Sequence, residues 1–176
     1  LNKVSLYSMR DPFDFDYSIK SLQGLDLTYL DLSQAWRIKI PLEIYTFKNL
    51  KFLGLNIYET DTIPDGIGNL SHLEEIVLSP ADYKYLPPDF GNLHSLKKID
   101  LSGIFDIDFE YLFAILINLD NLEEIDINWG EQRLPDSISK LKNIKRIIMT
   151  NYKREFVSTE EKLRHKNLLP NCEFIY

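Results

Sequence analysis

The chain holds a single cysteine, Cys172, so no intrachain disulfide can form. A disulfide-stapled scaffold and the cysteine caps of secreted animal repeat proteins are both excluded, while a cytoplasmic or an exported bacterial chain fits. Long apolar runs are absent too. The longest stretch free of polar side-chain atoms is six residues, 112–117, where a membrane-spanning helix needs roughly 20. Basic charge is in deficit, and the net charge of −7 argues against a nucleic-acid partner, because phosphate recognition requires a basic face. His72, His94 and His165 have no second ligand at metal spacing and read as lone surface residues. Asp11, Asp14 and Asp16 have some spacing of a calcium loop but lack its glycine and distal glutamate, so an acidic loop is the plainer reading. No glycine-rich phosphate loop, GxSxG or HExxH is present, and the sequence implies neither enzyme nor cofactor.

What the chain does have is a repeat. Segments of 23 residues starting at Leu27, Leu50 and Leu73 align without gaps; the next, from Leu96, has 26, and the one from Leu122 has 22. A partial copy starts at Ile144 and an earlier one at Leu1. Each opens with an apolar residue, then places apolar residues three and five positions on, as in Leu50–Leu53–Leu55, Leu73–Ile76–Leu78 and Leu96–Ile99–Leu101. The last two alternate as in a strand. A strand this short gains stability only by stacking on the next repeat. Four copies then carry an apolar residue and a proline: Ile40-Pro41, Ile63-Pro64, Leu86-Pro87 and Leu134-Pro135. Proline lacks an N–H and belongs outside a sheet ladder. Beyond it, Ile44/Phe47, Ile67/Leu70, Phe90/Leu93 and Ile138/Leu141 are spaced like one face of a helical turn and should pack inward.

The strings IPDGIGNLSHLEEIVLS and LPPDFGNLHSLKKIDLS resemble leucine-rich repeats of the 23-residue type, and the resemblance runs from residue 1 to about 157. It implies an α/β solenoid, a curved horseshoe segment with a parallel sheet on its concave face and short helices or turns on its convex face. The family places Asn three residues after the last strand leucine, where it ties adjacent loops together. Here those positions hold Ala35, Tyr58, Ala81, Ile104, Gly130 and Tyr152. The loop backbone must therefore find other partners. Directly after each strand stands Ser33, Asn56, Ser79, Ser102, Asn128 or Thr150. Solvent exposure is the simpler reading of that row, and pairing between neighbours is the alternative.

The connector around residues 107–122 should be a true α-helix, since Phe109, Leu112, Phe113 and Leu116 recur at three and four, and the string DFDYSIKSL at 14–22, similar to DFEYLFAIL at 108–116, implies a second longer helical connector. Residues 158–176 read as a C-terminal cap: a helix opened by Ser158 with Glu161 three residues on, then a strand with Cys172 buried and Phe174 and Tyr176 on the same face. Leu1 already falls in a strand frame with no cap before it, so the natural protein is expected to extend further or to have that end covered.

Strand alternation puts the residues between the leucines on the concave face. One column runs Lys3, Tyr29, Phe52, Glu75, Lys98, Glu124, Arg146; the next runs Ser5, Asp31, Gly54, Val77, Asp100, Asp126, Ile148. The last four members of the first alternate in sign and read as a solvated ion-pair ladder. Asp100 and Asp126 fall side by side, but an open sheet gives them no tuned, water-free setting for acid–base work. Tyr29 and Phe52 are the best interface candidates, because exposed aromatics commonly anchor partners. Trp36 and Tyr58 stand equally between interface and loop filling, and Tyr7 and Trp129 complete the aromatic set.

The function these features imply is a non-catalytic module, expected to be monomeric, that binds a protein or peptide through Tyr29, Asp31, Phe52, Asn56, Glu75, Lys98, Asp100, Glu124, Asp126, Trp129 and Arg146. Cell-surface carbohydrate or small-ligand binding is the alternative, as is the recognition domain of a larger receptor or enzyme. The short C-terminus and the lack of cysteine caps lean toward an exported or cell-surface bacterial protein.

Overall fold

The computed structural model describes residues 2–6, 12–36, 39–79, 81–104, 107–128, 133–150 and 157–176. Tyr7, Asp11, Trp129, Gly130 and Tyr152 lie outside them. The leading strands of the repeats are β1 (Lys3–Ser5), β2 (Tyr29–Asp31), β4 (Phe52–Gly54), β6 (Glu75–Val77), β7 (Lys98–Leu101), β8 (Glu124–Asn128) and β9 (Arg146–Thr150). With the final β10 (Glu173–Ile175) they form one parallel sheet in that order. Two short strands in the post-strand loops, β3 (Ala35–Trp36) and β5 (Ile57–Tyr58), form a second parallel pair.

The register carries the repeat frame through the sheet. Leu30, Leu53, Ile76, Ile99, Ile125 and Ile147 align on successive strands, and all are 0% exposed. A second inward row, from Leu32 and Leu55 through Leu78, Leu101 and Ile127 to Met149, is also buried. Burying one such side chain contributes about 1.5–3 kcal/mol, so the two rows together are a large stabilising contribution.

The convex side closes this core. Four repeats turn through 3₁₀ segments, Leu42–Thr46, Ile67–Asn69, Pro88–Asn92 and Asp136–Lys140. All four expected apolar pairs there are buried. Pro41, Pro87 and Pro135 precede their turns at φ −72°, −64° and −69°, the angles the ring imposes. A Cβ at Gly68 would lie 2.3 Å from the Asp89 carbonyl oxygen, so only glycine lets these adjacent turns approach. Asp89 Oδ2 reinforces the contact by accepting from the N–H groups of Gly66 (2.8 Å) and Gly68 (3.0 Å).

Helix α1 (Pro12–Ser21) stands where the similar string predicts it, and α2 (Phe109–Leu116) where three/four spacing does. Asp108 caps α2 by accepting from Glu110 N–H and Tyr111 N–H, satisfying donors a helix start leaves open. Asp16 is exposed on α1. Helix α3 (Thr159–Leu168) has Ser158 at its cap, whose Oγ accepts from Glu161 N–H at 3.1 Å. Cys172 is buried, and burial pushes its thiol up to about 11.

One histidine departs from the sequence reading. His72 and His94 are exposed, but His165 is 2% exposed. Its ring stacks on Phe174 and Tyr176, Nδ1 lies 3.1 Å from the Tyr176 hydroxyl, and Nε2 lies 3.3 Å from Glu161 Oε1. Burial pulls its pKa below the usual histidine value, with Glu161 opposing. The residue that read as a lone surface histidine is a packing element between α3 and β10.

Candidate binding surface

Every rung of both concave columns falls where alternation predicts it. Lys3, Tyr29, Phe52, Glu75, Lys98, Glu124 and Arg146 are register partners on consecutive strands, and Glu173 continues the column on β10. The second column likewise runs from Ser5 to Ile148 and ends on Ile175.

The first column has two chemistries. At its N-terminal end the Tyr29 and Phe52 rings stack at 4.3 Å between centroids and 8° between planes, with Lys3 Nζ 5.7 Å from the Tyr29 centroid. From Glu75 onward it is a chain of ion pairs. Lys98 lies 3.6 Å from Glu75 and 3.1 Å from Glu124, and Arg146 lies 2.9 Å from Glu124 and 3.1 Å from Glu173. Hydrogen bonds donated to Glu173 and Glu124 raise the Arg146 pKa further, and one donated to Glu124 does the same for Lys98.

A parallel ladder one residue earlier in each strand is a feature that column reading misses. Lys51 and Lys97 flank Glu74 at 3.0 and 2.7 Å, and Lys145 meets Glu123 at 2.7 Å. Hydrogen bonds from Lys97 and then Lys51 hold the Glu74 carboxyl down to about 2. The signal is visible in the sequence as doublets: Glu74-Glu75, Lys97-Lys98, Glu123-Glu124, Lys145-Arg146. Strand by strand, the sheet face alternates in sign two residues wide.

The second column is more structural than its residue types suggest. Asp31 is 7% exposed: its Oδ1 accepts from Ser33 N–H at 3.0 Å and from the Ser33 hydroxyl, and Oδ2 accepts from the Tyr29 hydroxyl at 3.3 Å. A Cβ on Gly54 would stand 2.5 Å from that Oδ1, so the carboxylate lies over the glycine of the next strand. Asp100 makes the same turn, accepting from Ser102 N–H at 2.9 Å. It is in register with Asp126, as predicted.

The loop after the strands, where the family's Asn is missing, is satisfied piecemeal. Ala35 and Trp36 pair with Ile57 and Tyr58 as the second small sheet, and Thr62 bridges to Tyr85. Tyr83, 1% exposed, donates its hydroxyl to the Leu55 carbonyl at 2.7 Å, and Glu59 N–H donates to Asp82 Oδ2 at 3.2 Å. In the row expected to be solvated, Ser79 and Asn128 are instead buried, and Ser79 hydrogen-bonds Ser102 at 2.9 Å. Asn56 is half-buried and its Oδ1 is enclosed without a partner.

The opposite edge of the sheet is regular. The residue before each leading apolar position reaches back one repeat. Asn49 donates to Asp26 Oδ1 (2.7 Å), and His72 Nδ1 lies 3.0 Å from the Lys48 carbonyl. Ser95 donates to the Ser71 carbonyl (2.7 Å), Asn121 to His94 (2.6 Å) and Asn143 to Asp120 (2.6 Å). These hooks tie neighbouring repeats on the edge opposite to the one the family's Asn serves.

A solenoid in which each repeat adds one short strand to a shared parallel sheet and turns back through an apolar convex segment is the fold of a leucine-rich-repeat protein. The chain belongs to that family: the model of a leucine-rich repeat region matches residues 13–173. Among solved structures it is similar to a leucine-rich-repeat protein of Leptospira interrogans, with 28% identity and a TM-score of 0.61 over 86% of this chain and 36% of that one. The chain thus spans just over a third of that protein's length. Internalin C2 of Listeria monocytogenes is similar in fold, with 17% identity and a TM-score of 0.64 over 100% of this chain and 70% of the internalin. A second Listeria internalin has 14% identity and a TM-score of 0.52, covering 99% of this chain and 60% of its own. No curated protein matches the chain. Proteins of this family and fold are generally non-enzymatic binding modules. No described helix is long and apolar enough to cross a membrane.

Proposed function

We propose that the chain recognises a protein or peptide partner through the N-terminal half of its concave sheet, centred on Tyr29 and Phe52. One observation carries this reading: the stacked aromatic pair is half-buried on the concave face, in the part of the column that the ion-pair ladder does not reach. Beside it in the second column stands the half-buried Val77, an apolar neighbour to the aromatic pair. Interfaces draw most of their affinity from a few such anchors, with surrounding polar residues setting fit. In the C-terminal half, Lys98, Glu124 and Arg146 already satisfy one another, so a partner would have to displace existing pairs.

Carbohydrate binding draws less from this geometry. Sugars stack on open ring faces, and of this pair only the outer face of Phe52 is left, because the rings cover one another and Lys3 stands over Tyr29.

The test uses a displayed random peptide library selected on the wild-type protein, followed by titration of the enriched peptides. Combining Tyr29→Ala with Phe52→Ala is expected to weaken them by at least about 2 kcal/mol, roughly thirtyfold. The circular dichroism spectrum should stay unchanged. Retained affinity would remove the concave site.

A further inference from the structure

We propose that Phe52 and Glu75 form an arginine anchor: the partner's guanidinium packs against the exposed part of the Phe52 ring and pairs with the Glu75 carboxylate beside it. The inference rests on concave-face recognition and specifies its chemistry.

The rings of Tyr29 and Phe52 are nearly parallel and close, so their faces look along the column, toward neighbouring strands. Each ring gives one face to the other. Tyr29 has Lys3 over its ring, a cation on an electron-rich face. Phe52 turns its second face to β6, where its register partner is Glu75. Among the described residues no cation stands over the Phe52 ring. Lys51, its neighbour in sequence, lies 3.0 Å from Glu74 in the other ladder.

Glu75 is the loose end of its ladder. Three carboxylates, Glu75, Glu124 and Glu173, share two cations, Lys98 and Arg146. Lys98 sits closer to Glu124 (3.1 Å) than to Glu75 (3.6 Å), and the Glu75 side chain is 39% exposed. Alternation would place a cation on the strand before Glu75; Phe52 stands there instead. An aromatic ring without a cation and a carboxylate with a shared one therefore stand side by side on β4 and β6. A guanidinium fits both: it is planar, stacks on rings and pairs with carboxylates through its fork of donors. Val77, the residue two positions beyond Glu75 in the second column, is half-buried and projects only a short apolar side chain beside the arginine stem. The far end, at Glu173, has a surplus carboxylate but no described ring beside it in the column, which makes it the internal control.

The experiment takes the peptides enriched on the wild-type protein and titrates them calorimetrically. We expect an arginine at one fixed position, and its replacement by citrulline to weaken binding about tenfold or more, since that removes the charge and keeps the shape. Glu75→Gln and Phe52→Leu should each weaken the same peptides by about tenfold, and Glu173→Gln by less than about twofold. Thermal melts of all three variants check that the fold is kept. Peptides that need Tyr29 and Phe52 yet carry no basic residue, or that bind Glu75→Gln as tightly as wild type, overturn the anchor and leave concave recognition standing. Peptides indifferent to all these positions, or no enriched peptide at all, overturn both.

Discussion

Across β2 and β4 the central concave column is aromatic; from β6 to β10 it is charged, on the same backbone and in the same register. In the charged part each side chain meets an opposite charge on the adjoining strand, so the face is closed on itself. The doublets also guard strand order, because pairing β6 with β8 would set Glu74 and Glu75 against Glu123 and Glu124. In the aromatic part the rings stack on each other and leave an outer face over. The repeats thus carry two kinds of surface in one column, one held by ion pairs between strands and one by ring stacking.

The sharpest check on that contrast begins below the surface, where the two halves should not differ. Leu53→Ala under the aromatic part and Ile125→Ala under the charged part should each cost about 2–5 kcal/mol in chemical denaturation, because both sit fully buried in one spine. A large inequality would mean that the halves do not share a core. Next in size is Lys98→Glu, which puts a third carboxylate between Glu75 and Glu124 and should destabilise by about 1–2 kcal/mol. Removing the charge alone, by Lys98→Met, should cost no more than about 1 kcal/mol at low salt and almost nothing at 1 M, where screening acts over roughly 3 Å. By contrast, Tyr29→Leu should show no comparable salt dependence in its effect on stability. The smallest effect is a titration. Glu74, held near 2 by its lysines, has a folded pKa below the unfolded one. Its contribution is therefore present above the usual carboxylate range and is lost as pH falls toward 2. In a Lys51→Met, Lys97→Met double variant its carboxyl carbon, followed by NMR, should titrate in the ordinary range again. An unchanged midpoint would show that the second ladder does not pair in solution.

Much of this was legible because a repeat multiplies weak signals. The Leu30–Leu53–Ile76–Ile99 spine, the two concave columns and the buried turn pairs follow from period and alternation, and the structure keeps all of them. Less legible were features that depend on contacts between repeats at unequal positions. Nothing in the sequence says that the Tyr83 hydroxyl reaches the Leu55 carbonyl, or that β3 and β5 pair where the loop Asn is lacking. The edge hooks could have been found, since Asp26, Asn49, His72, Ser95, Asn121 and Asn143 are polar at one repeat position, but polarity alone equally fits solvent exposure. For Asp31 the sequence gives side and column; that its carboxylate lies over Gly54 is set by the neighbouring strand.

The sequence by itself determined the solenoid, its register and which side chains face the concave surface, because stacking identical frames allows one way to bury every leucine. Only the tertiary structure decided which of those side chains are already taken. That depends on distances across strands, a few tenths of an ångström separating the Lys98 contact to Glu124 from its contact to Glu75. It depends equally on ring orientation, which a one-dimensional pattern does not encode.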